Sequence, residues 1–205
     1  MAVLVGKLAP FFDREDKLFS AVTSHGDVVD NFNFKKEAAG KYTLVFFYPL
    51  DFTFVCPSEL IAFNNRLEEF KQRNVQVIGV SIDSAFTHNA WRNTPIDKGG
   101  IGAVGYPLVA DIKHELCQAY DVQHAGGVAF RGSFLLDKSG VVRHQVVNDL
   151  PLGRNIDEAL RMVDALQFFE QHGEVCPAGW SKGKKGMKAD AAGVASYLAE
   201  NAKEL

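Results

Sequence analysis

The sequence predicts an α/β fold: a central mixed β-sheet flanked by helices, with an additional arm toward the C-terminus. Three observations carry this. TLVFFYP, Thr43 to Pro49, and VQVIGVSI, Val75 to Ile82, are unbroken apolar runs of the kind that form strands buried on both faces. Between them, SELIAFNNRLEEFKQRN repeats Leu60, Phe63, Leu67 and Phe70 at helical spacing, which makes a strand–helix–strand unit. RGSFLLDKSGVVRHQVV places two strand-like runs around DKSG and reads as a β-hairpin.

The remaining elements follow in order. Residues 1–40 read as strands and loops around the polar segment SHGDVVDNFNFKKEAAGK, with Gly26 and Gly40 as turn residues. Pro49 ends the first apolar strand, since it has no N–H for a sheet ladder. SAFTHNAWRN, Ser84 to Asn93, predicts a helix, and PIDKGGIGAVGYP a Gly- and Pro-punctuated loop. PLVADIKHELCQAYDV predicts a short strand and then a helix near His114 to Tyr120. Ile156, Leu160, Val163 and Leu166 mark one face of a long helix over Asn155 to His172. After Gly173 the texture turns Gly- and Lys-rich, in GEVCPAGWSKGKKGMKAD, and a short helix follows over Ala191 to Glu200. The expected division is a domain at 1–172 and an arm at 173–205.

The chain has 205 residues, 47% of them apolar and 16 of them Phe, enough to build a core and too apolar for a disordered chain. Lys and Arg total 22 against 25 Asp and Glu, a net charge of -3, so no electrostatic case exists for a nucleic-acid partner. The start, MAVLVGKLAPFF, lacks the pattern of a secretory signal, and the apolar runs are too short to cross a bilayer. A cytoplasmic protein with no membrane contact is expected.

The three cysteines, Cys56, Cys117 and Cys176, are too few for a disulfide scaffold. In a reducing compartment such thiols are packed, metal-bound or reactive. Cys56 stands at a corner, in FYPLDFTFVCPSEL, where an apolar strand gives way to a helix start. Pro57 fits the first helical position, with Cys56 near the cap and Glu59 placed to pair with cap N–H groups. The free N–H donors and partial positive charge of a helix start favour a thiolate over a thiol. Thr53 is placed to turn its hydroxyl toward the sulfur, Pro49 to close the other side, and Phe47, Phe52 and Phe54 to form an apolar rim. Taken alone, a cysteine at a helix start is more often packing than chemistry.

Three segments together resemble a known family. P-L-D-F-T-F-V-C-P, Pro49 to Pro57, resembles the P-x-x-x-T-x-x-C active-site motif of peroxiredoxins. H-G-E-V-C-P-A-G-W, His172 to Trp180, is similar to the resolving-cysteine segment of their typical two-cysteine subgroup, which includes the bacterial alkyl hydroperoxide reductase C subunits. R-G-S-F-L-L-D, Arg131 to Asp137, resembles the strand that carries the family arginine.

The resemblance implies a thioredoxin-like fold and a thiol-dependent peroxidase acting on hydrogen peroxide and alkyl hydroperoxides, in antioxidant defence. Cys56 would be the peroxidatic cysteine, Thr53 would orient the peroxide, and Pro49 would shield the pocket. Arg131 would pair with the thiolate and the developing charge, Glu59 would hold the arginine, and Cys176 would be the resolving cysteine. It also implies a head-to-tail homodimer with intersubunit Cys56–Cys176 disulfides, rings of dimers such as decamers, and no bound cofactor. Electrons would come from a thioredoxin-like or flavoprotein disulfide reductase. Gly99-Gly100-Ile101-Gly102 and Tyr197-Leu198 resemble two elements that slow resolution in peroxide-sensitive members, with Leu198 standing where those members carry Phe.

Other features carry less. Cys117 reads as a structural core cysteine, and His88 with Trp91 as a packed surface pair. No histidine joins a cysteine at zinc-site spacing, so no metal is expected. Lys182, Lys184, Lys185 and Lys188 read as solvated tail, and Trp180 as the anchor of the arm. Gly126-Gly127 lacks the strand–GxGxxG–helix context of a nucleotide site. A chaperone-like holdase ring is a compatible second role. A thiol–disulfide oxidoreductase is disfavoured because the chain has no C-x-x-C.

Overall fold

Strands β1 (Phe19–Val22), β2 (Val28–Phe32), β3 (Tyr42–Phe47), β4 (Val75–Ser81), β5 (Leu108–Ala110), β6 (Arg131–Leu136) and β7 (Val142–Asn148) form one mixed sheet in the order β2-β1-β5-β4-β3-β6-β7. They belong to a computed structural model that describes residues 2–203 and 205. The chain divides into two compact units, one ending at Ile156 and one beginning at Asp157.

The strand–helix–strand unit is as the apolar runs predict. β3 and β4 are parallel, with Leu44 opposite Val77 and Phe46 opposite Gly79, and β6 flanks β3 antiparallel on its other side. Every residue of β3 is buried, the result of having sheet neighbours on both edges and covered faces. Phe47 points into a cluster with Tyr120 and Phe134, while Phe46 stacks on Phe63 with centroids 4.3 Å apart. Gly79 is required by this packing: a Cβ there would lie 2.8 Å from Leu108 and 3.0 Å from Phe46 side-chain atoms.

The connection between β3 and β4 is two helices, not the expected one: α2 (Cys56–Asn65) and α3 (Leu67–Gln72). They part at Arg66, at φ -106 and ψ 8. Asn64 and Asn65 are weak helix formers, and the Asn64 side chain is drawn to the Gly105 N–H at 2.8 Å. A short helix α1 (Phe34–Ala38), capped by Asn33, and a 3-10 turn (Ile96–Lys98) also arise in stretches read as loop. Helix α4 (Ala85–Asn93) starts at Ser84, whose hydroxyl accepts from the Thr87 N–H at 3.1 Å. Its His88 and Trp91 are fully buried. That corrects the expected surface pair: α4 turns this face inward. Helix α5 (Glu115–Ala119) carries Cys117 into the core. The β6–β7 hairpin turns at DKSG, where the Asp137 carboxylate accepts from the N–H groups of Ser139 and Val141.

The second unit contains helices α6 (Ile156–His172) and α7 (Ala191–Asn201). Between them the chain folds back, with Val175 and Met187 bridged by two backbone hydrogen bonds of 2.9 Å. Trp180 is buried against Phe168 of α6 at 4.8 Å, and its backbone carbonyl accepts from Arg161 at 2.7 Å. It therefore anchors the Cys176 segment onto α6.

Candidate active site

The corner at Cys56 is built from β3, the turn that follows, and the start of α2. Cys56 is 1% exposed and is the first residue of α2, with Val55 as the cap and Pro57 second. The expectation that placed Pro57 first is thus shifted by one. Val55 offers no side-chain hydrogen bond to the helix start. Glu59 does not supply one either, contrary to its expected pairing with the cap.

Glu59 is instead engaged on both oxygens by arginines. Oε2 accepts from Arg131 Nη1 at 2.6 Å, and Oε1 from Arg154 Nε at 2.8 Å and the Arg154 backbone N–H at 3.0 Å. All three side chains are nearly inaccessible to solvent. Buried arginines at this spacing attract a carboxylate more strongly than a helix end does.

Arg131 is the first residue of β6, and its Nη1 also donates to Cys56 Sγ at 3.4 Å. Its Nε donates to the Leu150 carbonyl at 2.7 Å, so the guanidinium is held from three directions. Arg154 is fixed in turn. Its Nη1 donates to the carbonyls of Phe47 and Gly132, each at 2.8 Å, and its guanidinium lies over the Phe46 ring at 5.2 Å. Two guanidinium groups and one carboxylate leave one positive charge facing the sulfur.

Thr53 is half-buried in the turn, and its hydroxyl donates to the Leu50 carbonyl at 2.7 Å. With that hydrogen committed, the Thr53 oxygen is left to accept. Pro49 is buried beside the end of β3. The expected aromatic rim does not form: Phe47 lies in the core, Phe54 is 95% exposed, and Phe52 is 52% exposed and rests on Trp91. Phe47 belongs to a strand covered on both faces, and the turn after Pro49 leaves the other two rings exposed.

Cys176 lies in the second unit. It is half-buried, with its Sγ–H on the Ala165 carbonyl at 3.4 Å, and burial pushes its thiol up from its ordinary range, with Arg161 acting in the opposite direction. Cys117 is fully buried, and burial followed by the Asp111 carboxylate pushes its thiol far up. Such a group stays protonated and inert.

Among the described residues, Asp51, Asp83 and His88 bring ligand-type atoms within 4.8 Å of one another. Those atoms already serve the protein. Asp51 accepts from Tyr48 at 2.8 Å and contacts His88 Nδ1 at 2.7 Å, while Asp83 accepts from the Ser81 hydroxyl at 2.6 Å. The cluster reads as a buried hydrogen-bond network.

A family model described as the AhpC/TSA family matches residues 5–145. The chain belongs to the AhpC/TSA family. A second model, the C-terminal domain of 1-Cys peroxiredoxin, matches residues 165–200 of this AhpC/TSA chain. Alkyl hydroperoxide reductase C of Helicobacter pylori is 54% identical over 203 residues, covering 99% of this chain and 100% of the relative. The crystal structure of reduced Plasmodium vivax 2-Cys peroxiredoxin superposes with a TM-score of 0.91 at 44% identity, covering 97% of this chain and 100% of the other. Plasmodium yoelii Prx1a, whose N-terminally modified form is an artifactual octamer, is 48% identical with a TM-score of 0.72, over 81% of this chain and 95% of the other.

Sequence reasoning about this AhpC/TSA chain missed Arg154 and Asp51, and read His88 only as half of a packed surface pair. Arg154 sits in the loop PLGRN, where nothing local separates a buried arginine from a solvated one. Its role depends on Glu59, which is far from it in the chain. A signal for His88 did exist: with Trp91 it marks a face of α4 that also carries Ala85, one buried stripe at helical spacing.

Proposed function

We propose that this chain is a thiol-dependent peroxidase that reduces hydrogen peroxide and alkyl hydroperoxides, with Cys56 as the nucleophile. The observation that carries the reading is the buried Arg131 guanidinium, 3.4 Å from Cys56 Sγ and locked by Glu59. The Cys56 thiolate attacks the terminal oxygen of ROOH. The O–O bond breaks, its electron pair leaves on RO⁻, which takes up a proton, and the sulfur is left as sulfenic acid. Charge grows on the leaving oxygen as the bond breaks. Arg131 is fixed where it stabilises that charge without reorganising. The Thr53 oxygen accepts the O–H of the peroxide and so sets which oxygen faces the sulfur. Pro49 helps to keep the site dry.

The second step needs movement. A sulfenic acid on a buried helix start must emerge before a second thiol reaches it, since a disulfide requires Cα atoms within about 7 Å. The uncapped first turn of α2 supports local unwinding there. Cys176 of another copy attacks the sulfenic sulfur, water leaves, and an intersubunit disulfide forms. The protein then works as a homo-oligomer, a head-to-tail dimer or a ring of dimers such as a decamer. A thioredoxin-type or flavoprotein disulfide reductase restores both thiols, with no bound cofactor, in the cytoplasm. Among the described residues, no helix is long and apolar enough to cross a membrane.

The test is Cys56→Ser, which is expected to abolish peroxide turnover. Retained turnover would overturn the reading. On a non-reducing gel after mild peroxide, wild-type protein should run as a reducible dimer. That dimer should be lost in Cys176→Ser and kept in Cys117→Ala.

A further inference from the structure

The turn that carries Thr53 is held from outside by α4. Asp51 lies between Leu50 and Thr53, inside the small ring that the Thr53 hydroxyl closes on the Leu50 carbonyl at 2.7 Å. Its carboxylate accepts from the Tyr48 hydroxyl at 2.8 Å and meets His88 Nδ1 at 2.7 Å. Its backbone N–H donates to Asp83 at 2.9 Å. One turn further along α4, Trp91 packs on Phe52 at 5.8 Å. Phe52 adopts φ +53, a left-handed conformation that a bulky residue keeps only when its neighbours hold it. Two side chains of one helix face therefore fix two successive residues of the turn.

No cap at Val55 shares this work. The protonation of the pair is also constrained by geometry. His88 Nε2 faces the Val109 carbonyl at 3.3 Å, so Nε2 carries a hydrogen. The 2.7 Å contact between Nδ1 and Asp51 then needs a hydrogen of its own. The groups facing this pair are Tyr48 just after β3, Asp83 just after β4, and the Val109 carbonyl of β5. Asp51 is buried, and desolvation raises its carboxyl, which His88 opposes. Removing His88 would leave that carboxylate buried with only Tyr48 as a donor.

We infer that His88 is a positioning residue for the chemistry at Cys56, acting through Asp51 on the turn that orients Thr53. This deepens the peroxidase reading and rests on it. The test is a mutant cycle on the full chain, read by stopped-flow oxidation of Cys56 with hydrogen peroxide. His88→Leu is expected to lower the second-order rate constant about tenfold or more, because sub-ångström placement of Thr53 controls attack. His88→Gln, which keeps an N–H for Asp51, should recover part of the loss. The double variant of Asp51→Asn with His88→Leu should be no slower than His88→Leu alone, since both act at one contact.

Wild-type rates in His88→Leu, or losses that multiply in the double variant, would overturn the inference while leaving the peroxidase reading intact. A wild-type protein that does not oxidise Cys56 would sink the peroxidase reading itself. Should His88→Leu fail to fold, Asp51→Asn, His88→Gln and their combination form the same cycle with the same two outcomes.

Discussion

Arg154 meets Glu59 twice: its Nε lies 2.8 Å and its backbone N–H 3.0 Å from the same carboxylate oxygen. The other oxygen belongs to Arg131. The carboxylate thereby fixes the loop before α6 and the strand β6 relative to Cys56, all within the first unit. Its charge also keeps two buried guanidinium groups from standing unopposed.

Glu59→Gln keeps the shape and removes that charge. Losing one partner of a buried ionic network costs about 3–5 kcal/mol. Denaturant unfolding should show a loss of that order, and Cys56 oxidation should slow in the same variant because Arg131 loses its orientation. A stability within about 0.5 kcal/mol of wild type would refute this account of the network.

Thr53→Val tests the acceptor role with little change in volume. The side chain is half-buried and makes one hydrogen bond, to the Leu50 carbonyl. Stability should fall by about 1 kcal/mol or less. The rate of Cys56 oxidation should fall about 100-fold, because the peroxide is no longer oriented for attack. Equal small effects on both would leave Thr53 as a purely structural residue.

If Cys176 resolves the sulfenic acid as proposed, its thiol sets the pH dependence of the second step. Burial raises its thiol, against the opposing pull of Arg161. Thiol attack needs the thiolate, so the reactive fraction near neutral pH is small and grows about tenfold per pH unit. With peroxide in single turnover, disulfide formation should accelerate by about that factor from pH 7 to pH 8. A flat profile would show that unwinding at Cys56, and not the thiolate of Cys176, limits the step.

Cys117 should be dispensable for chemistry. Its thiol is fully buried, its backbone N–H is bound to Asp111 at 2.7 Å, and its thiol is held protonated. Cys117→Ala should keep peroxide turnover and the reducible dimer, and lose about 1 kcal/mol from the small void. Turnover below half of wild type would give Cys117 a part that its surroundings do not explain.

Much of the fold was legible because its strands announce themselves locally. β3 and β4 are unbroken apolar runs, and the β6–β7 hairpin carries its own turn chemistry at Asp137 and Gly140. The interruption at Arg66 was not legible, since it depends on Asn64 reaching Gly105 across the fold. The same limit applied to the aromatic rim. Phe47, Phe52 and Phe54 look alike in sequence, and only the path of the turn decides which ring is buried.

By itself the sequence determined the mixed sheet, the corner that carries Cys56, and the residue types gathered near it. Apolar periodicity, proline and turn residues act over a few neighbours, so a linear reading captures them. Tertiary structure alone decided that Glu59 takes no part in the helix cap, that it binds Arg154 beside the Arg131 which the resemblance already gave it, and that His88 is buried against Asp51. Those choices turn on which charges meet when water is excluded, and the burial that excludes it comes from residues far apart in the chain.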